Sequence, residues 1–171
     1  MATLRPAKCY RSLKRPFTRQ SRRKPRKGYA KGVPGSKITK FEVGNPNREF
    51  SLSAELVVEK SVQIRHNALE AARVAVNKYL TKTLGEEYFL KVLIFPHHVM
   101  RDNPTATGAG ADRFQTGMRK AYGRPIGTAA QVHANQPIML VRVDKTKRVF
   151  AKEALKRAAT KIPSTSRIVY N

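Results

Sequence analysis

The sequence has few acidic residues, almost no cysteine and no long apolar run. Among its 171 residues, Cys9 is the single cysteine, which excludes an intramolecular disulfide framework and a cysteine-rich zinc site. No stretch approaches the roughly 18 apolar residues of a transmembrane helix. The N-terminus lacks the apolar core of a secretory signal, and three early prolines interrupt the amphipathic helix of a transit peptide. We therefore expect a protein that is neither secreted nor membrane-bound.

The scarcity of acids leaves a large positive charge. Only 11 acidic residues oppose 35 lysines and arginines, so the formal net charge is +24. Such a charge disfavours a compact chain through self-repulsion and predicts a polyanionic partner. The hydrophobic fraction of 40% is still sufficient for one packed core, and the length favours a single domain.

The positive charge is concentrated at the N-terminus. Residues 1–40 contain 14 lysines and arginines and no acid, a composition typical of nucleic-acid-binding tails. Tyr10, Phe17 and Tyr29 lie among these cations, where each ring either stacks on an unpaired base or anchors the tail to the folded body. The candidate phosphate-binding cations are Arg5, Lys8, Arg11, Lys14, Arg15, Arg19, Arg22, Arg23, Lys24, Arg26, Lys27 and Lys31, followed later in the chain by Arg119, Lys120 and Arg124.

Hydrophobic periodicity predicts strands and helices after this tail. Alternating or apolar runs predict strands at 38–43, 50–58, 88–95, 137–143 and 167–170. A helix is expected from an N-cap at Asn67, with Glu70 as its capping-box partner, to a stop near Gly85. A second helix is expected over 148–161, with Phe150, Ala154, Leu155 and Ala158 facing inward. The prediction is an α+β fold, a mixed or antiparallel sheet with two main helices packed on it. It comprises a basic extended arm over 1–37 and one domain over 38–171.

The segment 100–135 is predicted to lie outside the core. It contains five of the ten glycines, and residues 103–111 have almost no large apolar side chain. Loops of this length in a compact domain are usually functional or disordered. We expect a mobile loop at about 102–113, followed by a basic segment that faces RNA.

Catalytic and metal sites are not predicted. The glycines at 108 and 110 lack the lysine of a P-loop and the spacing of a dinucleotide-binding loop. Adjacent His97 and His98 point to opposite faces of a strand, and no cluster of ligands joins them. We expect no enzyme activity, metal or cofactor. An RNA-processing enzyme that uses Asp102 and Asp112, and a chromatin-like DNA-binding protein, remain the alternatives.

Several long motifs resemble one family from end to end. The segments are 5–11 (RPAKCYR), 24–29 (KPRKGY), 31–34 (KGVP), 110–119 (GADRFQTGMR) and 123–128 (GRPIGT). They resemble the ten-e family of large-subunit ribosomal proteins, the archaeal and eukaryotic counterpart of bacterial large-subunit protein sixteen. The length is similar to that of archaeal members. The sequence departs from the family at Lys8 and Gln131, where arginine is the expected residue.

This resemblance implies an α/β-hammerhead fold and a structural role in the ribosome of the cytoplasm. The implied partners are large-subunit rRNA, the 5S rRNA region, tRNA and neighbouring ribosomal proteins, with no membrane and no homo-oligomer. Family members help to complete the subunit and to position tRNA, whereas peptide transfer belongs to rRNA. Arg101 and His133 would lie at the two feet of a loop that reaches the tRNA acceptor end near the peptidyl-transferase centre. The implied loop residues are Asp102, Asn103, Thr105, Thr107, Gly108, Gly110, Asp112 and Arg113.

Overall fold

Eight strands and two α-helices make up the described part of the chain. The structure is a computed structural model, and it describes residues 4–14, 30–103, 109 and 123–171. The strands are β1 (Glu42–Gly44), β2 (Leu52–Val58), β3 (Val62–Arg65), β4 (Phe89–Val92), β5 (His98–Asp102), β6 (Arg124–Val132), β7 (Pro137–Val143) and β8 (Ser166–Tyr170). The helices are α1 (His66–Leu84) and α2 (Arg148–Ala159), and short 3-10 turns cover Ala7–Cys9 and Lys145–Lys147.

The strands form two antiparallel sheets. One sheet has five strands in the order β1-β4-β7-β2-β8, and the other has three in the order β3-β6-β5. All of the described pairs are antiparallel. The helices pack against each other, with α2 also on the larger sheet and α1 also on β3 and β6. The predicted α+β architecture with two helices on antiparallel sheets is confirmed.

Helix α1 forms because its apolar residues recur on one face. Leu69, Ala72, Val76 and Leu80 are fully buried at spacings of three and four residues. The helix ends where Gly85 takes a φ of +63°, a conformation that glycine adopts without steric cost. The predicted N-cap at Asn67 is wrong, because β3 runs directly into the helix and Arg65 holds the cap position without a side-chain bond.

Helix α2 covers the larger sheet with small residues and one leucine. Ala151, Ala154, Leu155 and Ala158 are buried, as a period of 3.6 residues requires. The prediction that Phe150 faces inward is wrong, since it is exposed and the neighbouring Ala151 takes the inward position. Neither of these helices, nor any other helix among the described residues, is long and apolar enough to cross a membrane.

The segment 100–135 contributes to the core, which corrects the sequence-based expectation. Its two ends are strands β5 and β6, and Met100, Ala129, Ala130 and Val132 are buried. Strand β6 escaped prediction because Pro125, Gly127 and adjacent alanines are poor strand formers, and it is stabilised by β3 and β5 on its two sides. One hydrophobic cluster joins residues of both sheets and both helices.

Candidate nucleic-acid interface

The first described residues lie across the outer face of the three-stranded sheet. Val62 and Ile64 of β3 point into the core, so Gln63 and Arg65 point outward and meet the N-terminal segment. The Gln63 backbone N–H donates to the Arg11 carbonyl at 2.9 Å, and its side chain donates to the Tyr10 carbonyl at 2.9 Å. Arg65 donates to the Arg5 carbonyl at 2.8 Å.

The same contact continues onto strand β6. The Gln131 side chain donates to the Lys14 carbonyl at 2.7 Å and to Gln63 Oε1 at 3.0 Å. An arginine at this position would lack the acceptor oxygen of the amide but would still be a donor. Residues 5–14 are therefore bound to the folded body, and Lys8, Arg11 and Lys14 among them are exposed.

Tyr10 anchors this segment. The Arg65 guanidinium lies over its ring at 5.8 Å, and its hydroxyl donates to the Arg101 carbonyl at 3.3 Å. Burial and the nearby Asp102 carboxylate raise the pKa of the Tyr10 hydroxyl, so it remains a neutral donor. Of the two alternatives for this ring, the structure shows anchoring; Phe17 and Tyr29 lie outside the described residues.

The N-terminal segment also meets the foot of the β5–β6 hairpin. Arg5 and Asp102 form an ion pair with 2.6 Å between nitrogen and oxygen. Because the Arg5 side chain is 37% exposed, this pair contributes less than about 1 kcal/mol to stability. The pair affects position more than stability, because it holds the N-terminal arm beside Asp102, the last paired residue before the loop.

The feet of the loop are defined by the hairpin register. Arg101 pairs with Pro125 and Asp102 with Arg124, so the connection between the strands runs from Asn103 to Gly123. Arg101 lies beside this foot. His133 does not, because it follows the opposite end of β6, about 30 Å of strand away from Arg124. The predicted placement of His133 is therefore wrong.

His66 holds the segment that follows the arm. The Lys37 backbone N–H donates to His66 Nδ1 at 2.8 Å, and the ring is 8% exposed. Its other edge faces Gly127, where a Cβ would lie 2.8 Å from Nε2, so only glycine allows this approach. Burial, with the positive charges of Lys37 and Arg65, lowers the pKa of His66 and keeps the ring a neutral acceptor.

We expect this histidine to make stability fall in mild acid. Its folded-state pKa lies below the unfolded value of about 6.5, so the unfolded state binds more protons between the two. The stabilisation is complete above that pH and is lost as pH falls toward the folded-state pKa. Urea unfolding at pH 7.5 and 5.5 should show a smaller loss for His66→Gln than for the unmodified chain. Burial lowers the pKa of His98 too. His98 is present in both proteins, so its contribution to the pH dependence of stability cancels in the comparison. An equal loss in the two would contradict the assignment.

The candidate cations divide by location. Lys8, Arg11, Lys14, Lys31 and Arg124 are exposed. The remaining candidates lie outside the described residues: Arg15, Arg19, Arg22, Arg23, Lys24, Arg26, Lys27, Arg113, Arg119 and Lys120, together with the loop residues Thr105, Thr107, Gly108, Gly110 and Asp112. Sequence reasoning missed Gln63 and Arg65, which hold the N-terminal segment, and noted Gln131 only as a departure from the family. The alternation of apolar and polar residues along β3 could have identified Gln63 and Arg65, but a strand of four residues gives only a weak pattern.

Comparisons with known proteins agree on one family. A family model described as ribosomal protein L16p/L10e matches residues 17–169. A protein of Staphylothermus marinus named large ribosomal subunit protein uL16 is 52% identical, covering 98% of this chain and 93% of its own length. Proteins of the same name from Hyperthermus butylicus and Archaeoglobus fulgidus are 50% and 46% identical; each match covers 96% of this chain and 91% of the relative.

Proposed function

The chain belongs to the ribosomal protein L16p/L10e family, and from this we propose that it is a structural constituent of the large ribosomal subunit that binds rRNA. The relatives are named for the large subunit, and the family is one of structural components, so the chain is not an enzyme. rRNA and neighbouring ribosomal proteins are its partners.

The proposed RNA contacts are phosphate contacts. A net charge of +24 with few acids suits a surface that neutralises phosphates and fits their shape. The N-terminal cations predicted from the sequence, Arg5 to Lys31, would supply most of these contacts. Arg5 differs from the rest, because its ion pair with Asp102 already balances its charge.

We further propose that the loop between Asn103 and Gly123 is directed toward the tRNA acceptor end near the peptidyl-transferase centre, with the body on the side of the 5S rRNA. Support comes from the hairpin, because Asp102 at the end of β5 pairs with Arg124 at the start of β6, which holds both ends of the loop together. Strand β6 is held between two partners, which fixes the direction of the hairpin.

The observation that carries the structural role is the family membership over residues 17–169. Its test is sedimentation with archaeal large subunits that have been stripped of this protein. We expect the chain to pellet with the subunits at 0.1 M salt and to be released at 1 M, because counterion release dominates such binding. Refolded large-subunit rRNA should compete strongly, whereas duplex DNA at equal phosphate concentration should compete more weakly, because its shape does not fit. A chain that stays in the supernatant, or that DNA displaces equally well, would overturn the proposal.

A further inference from the structure

A basic groove runs between the N-terminal segment and the turn after α2. It consists of two adjoining clefts of about 390 and 490 Å³, which share Arg11 and Pro163 in their walls. The cleft of about 390 Å³, called the inner cleft, is also lined by the start of α1. The cleft of about 490 Å³, called the outer cleft, is also lined by the turn between β2 and β3. The groove exists because residues 7–12 are bound along β3, so their outer edge forms one wall.

The charges of the groove have one sign. Its cations are Lys8, Arg11, Lys60, Arg65 and Lys161, from four separate parts of the chain. Among the described residues that line it, none is acidic. Arg65 is engaged with the Arg5 carbonyl, whereas Lys60 and Lys161 are exposed and form none of the described ion pairs. A cleft lined by one sign of charge concentrates counterions of the other sign.

The wall of the inner cleft also holds a buried acceptor. Asn67 lines it, and its Oδ1 is buried without a hydrogen-bond partner among the described residues. A bare phosphodiester satisfies the cations but has no proton for this oxygen. A ribose 2′-hydroxyl has one, and RNA carries it beside every phosphate.

We propose that this groove binds the sugar-phosphate backbone of RNA, with phosphates on Lys60 and Lys161 and a ribose 2′-hydroxyl on Asn67. The inference rests on the proposed function and deepens it by assigning a site on the folded body. None of these three residues was a candidate RNA-binding residue in the sequence, where the two lysines lie outside the basic N-terminal segment and Asn67 was expected only as a helix cap.

The first test removes the two lysines. Lys60→Gln with Lys161→Gln should lower the slope of log affinity against log salt by about 1.5, and the affinity for refolded large-subunit rRNA about thirtyfold at 0.1 M salt. The matched control is Lys78→Gln with Lys152→Gln, which removes the same charge from exposed helical positions outside both clefts. The control should change the slope by less than half a unit. Equal slopes for the two variants would overturn the proposal.

The second test addresses the ribose. Asn67→Ala should reduce the preference for oligouridylate over oligodeoxyuridylate of equal length by about fivefold, the effect of one hydrogen bond. Asn67→Asp preserves the shape but replaces the acceptor with a carboxylate, which repels phosphate and costs stability where it is buried. We expect that variant to bind oligouridylate about tenfold more weakly at a temperature below its melting transition. An unchanged preference together with unchanged affinity would overturn the role of Asn67.

The outcomes separate this inference from the function on which it rests. If the unmodified chain fails to bind rRNA in a salt-dependent manner, the proposed function fails. If the unmodified chain binds and both the lysine and Asn67 variants bind equally well, only the groove assignment fails. Thermal melting of each variant confirms that the comparison is between folded proteins.

Discussion

Replacing Arg22, Arg23, Lys24 and Arg26 with glutamine is expected to lower the affinity for refolded large-subunit rRNA about a thousandfold at 0.1 M salt. Each phosphate contact contributes about 0.7 to 0.9 to the slope of log affinity against log salt, so four contacts contribute about 3. These residues lie outside the described part of the structure, and the expectation rests on their charge and their acid-free surroundings. Filter binding or fluorescence anisotropy from 0.05 to 0.5 M salt measures the slope.

The control for this variant removes equal charge from the helices. Lys78, Lys82, Lys152 and Lys156 are exposed on α1 and α2, and their replacement by glutamine should lower the slope by less than 1. If the helical variant loses as much affinity as the arm variant, binding follows total charge and the arm has no special role. If neither variant loses affinity, the arm does not contact phosphates.

Deleting residues 104–122 is expected to leave the fold intact and to reduce tRNA-dependent peptide synthesis at least tenfold. The deletion joins Asn103 to Gly123 between the paired Asp102 and Arg124. Asn-Gly is the preferred sequence of a two-residue hairpin loop, so the strands remain in register. The shorter connection also lowers the entropic cost of closing the loop by about 2 kcal/mol. Function should fall because the proposed tRNA-proximal residues are absent.

Two measurements check this deletion. Thermal unfolding should give a melting temperature no lower than that of the unmodified chain, and large subunits assembled with each protein should be compared in poly(U)-directed translation. A chain that no longer folds would show that the loop stabilises the body. Full translation activity from assembled subunits would show that the loop has no part in tRNA placement.

Local periodicity predicted the elements whose large apolar residues recur on one face, which is then buried. Residues 137–143 are β7 as predicted, and α1 buries Leu69, Ala72, Val76 and Leu80 as the spacing required. Prediction failed where burial depends on partners. Strand β6 is built from small residues that pack only because β3 and β5 flank it, and β3 is too short for its alternation to stand out.

The residues of the candidate site were also predicted only where the signal is local. Charge marked the N-terminal arm, since clustering along the chain is visible in the sequence itself. It also suggested that Arg5 binds RNA, whereas the fold pairs Arg5 with Asp102. His133 was expected beside the loop because it lies near the end of the segment 100–135. Strand β6 separates His133 from the loop, because the loop joins the start of the strand and His133 follows its other end.

The sequence by itself determined the partner class and the positions of both helices, because charge and periodicity are local properties; its long motifs indicated the family, which the comparisons confirmed. The tertiary structure decided what the charges and polar groups contact. Lys14 meets Gln131 across 117 positions, and the groove has Lys60 in the wall of one cleft and Lys161 in the wall of the other. Such contacts arise only when distant parts of the chain pack together, and the register of the sheet sets which side chains share a face.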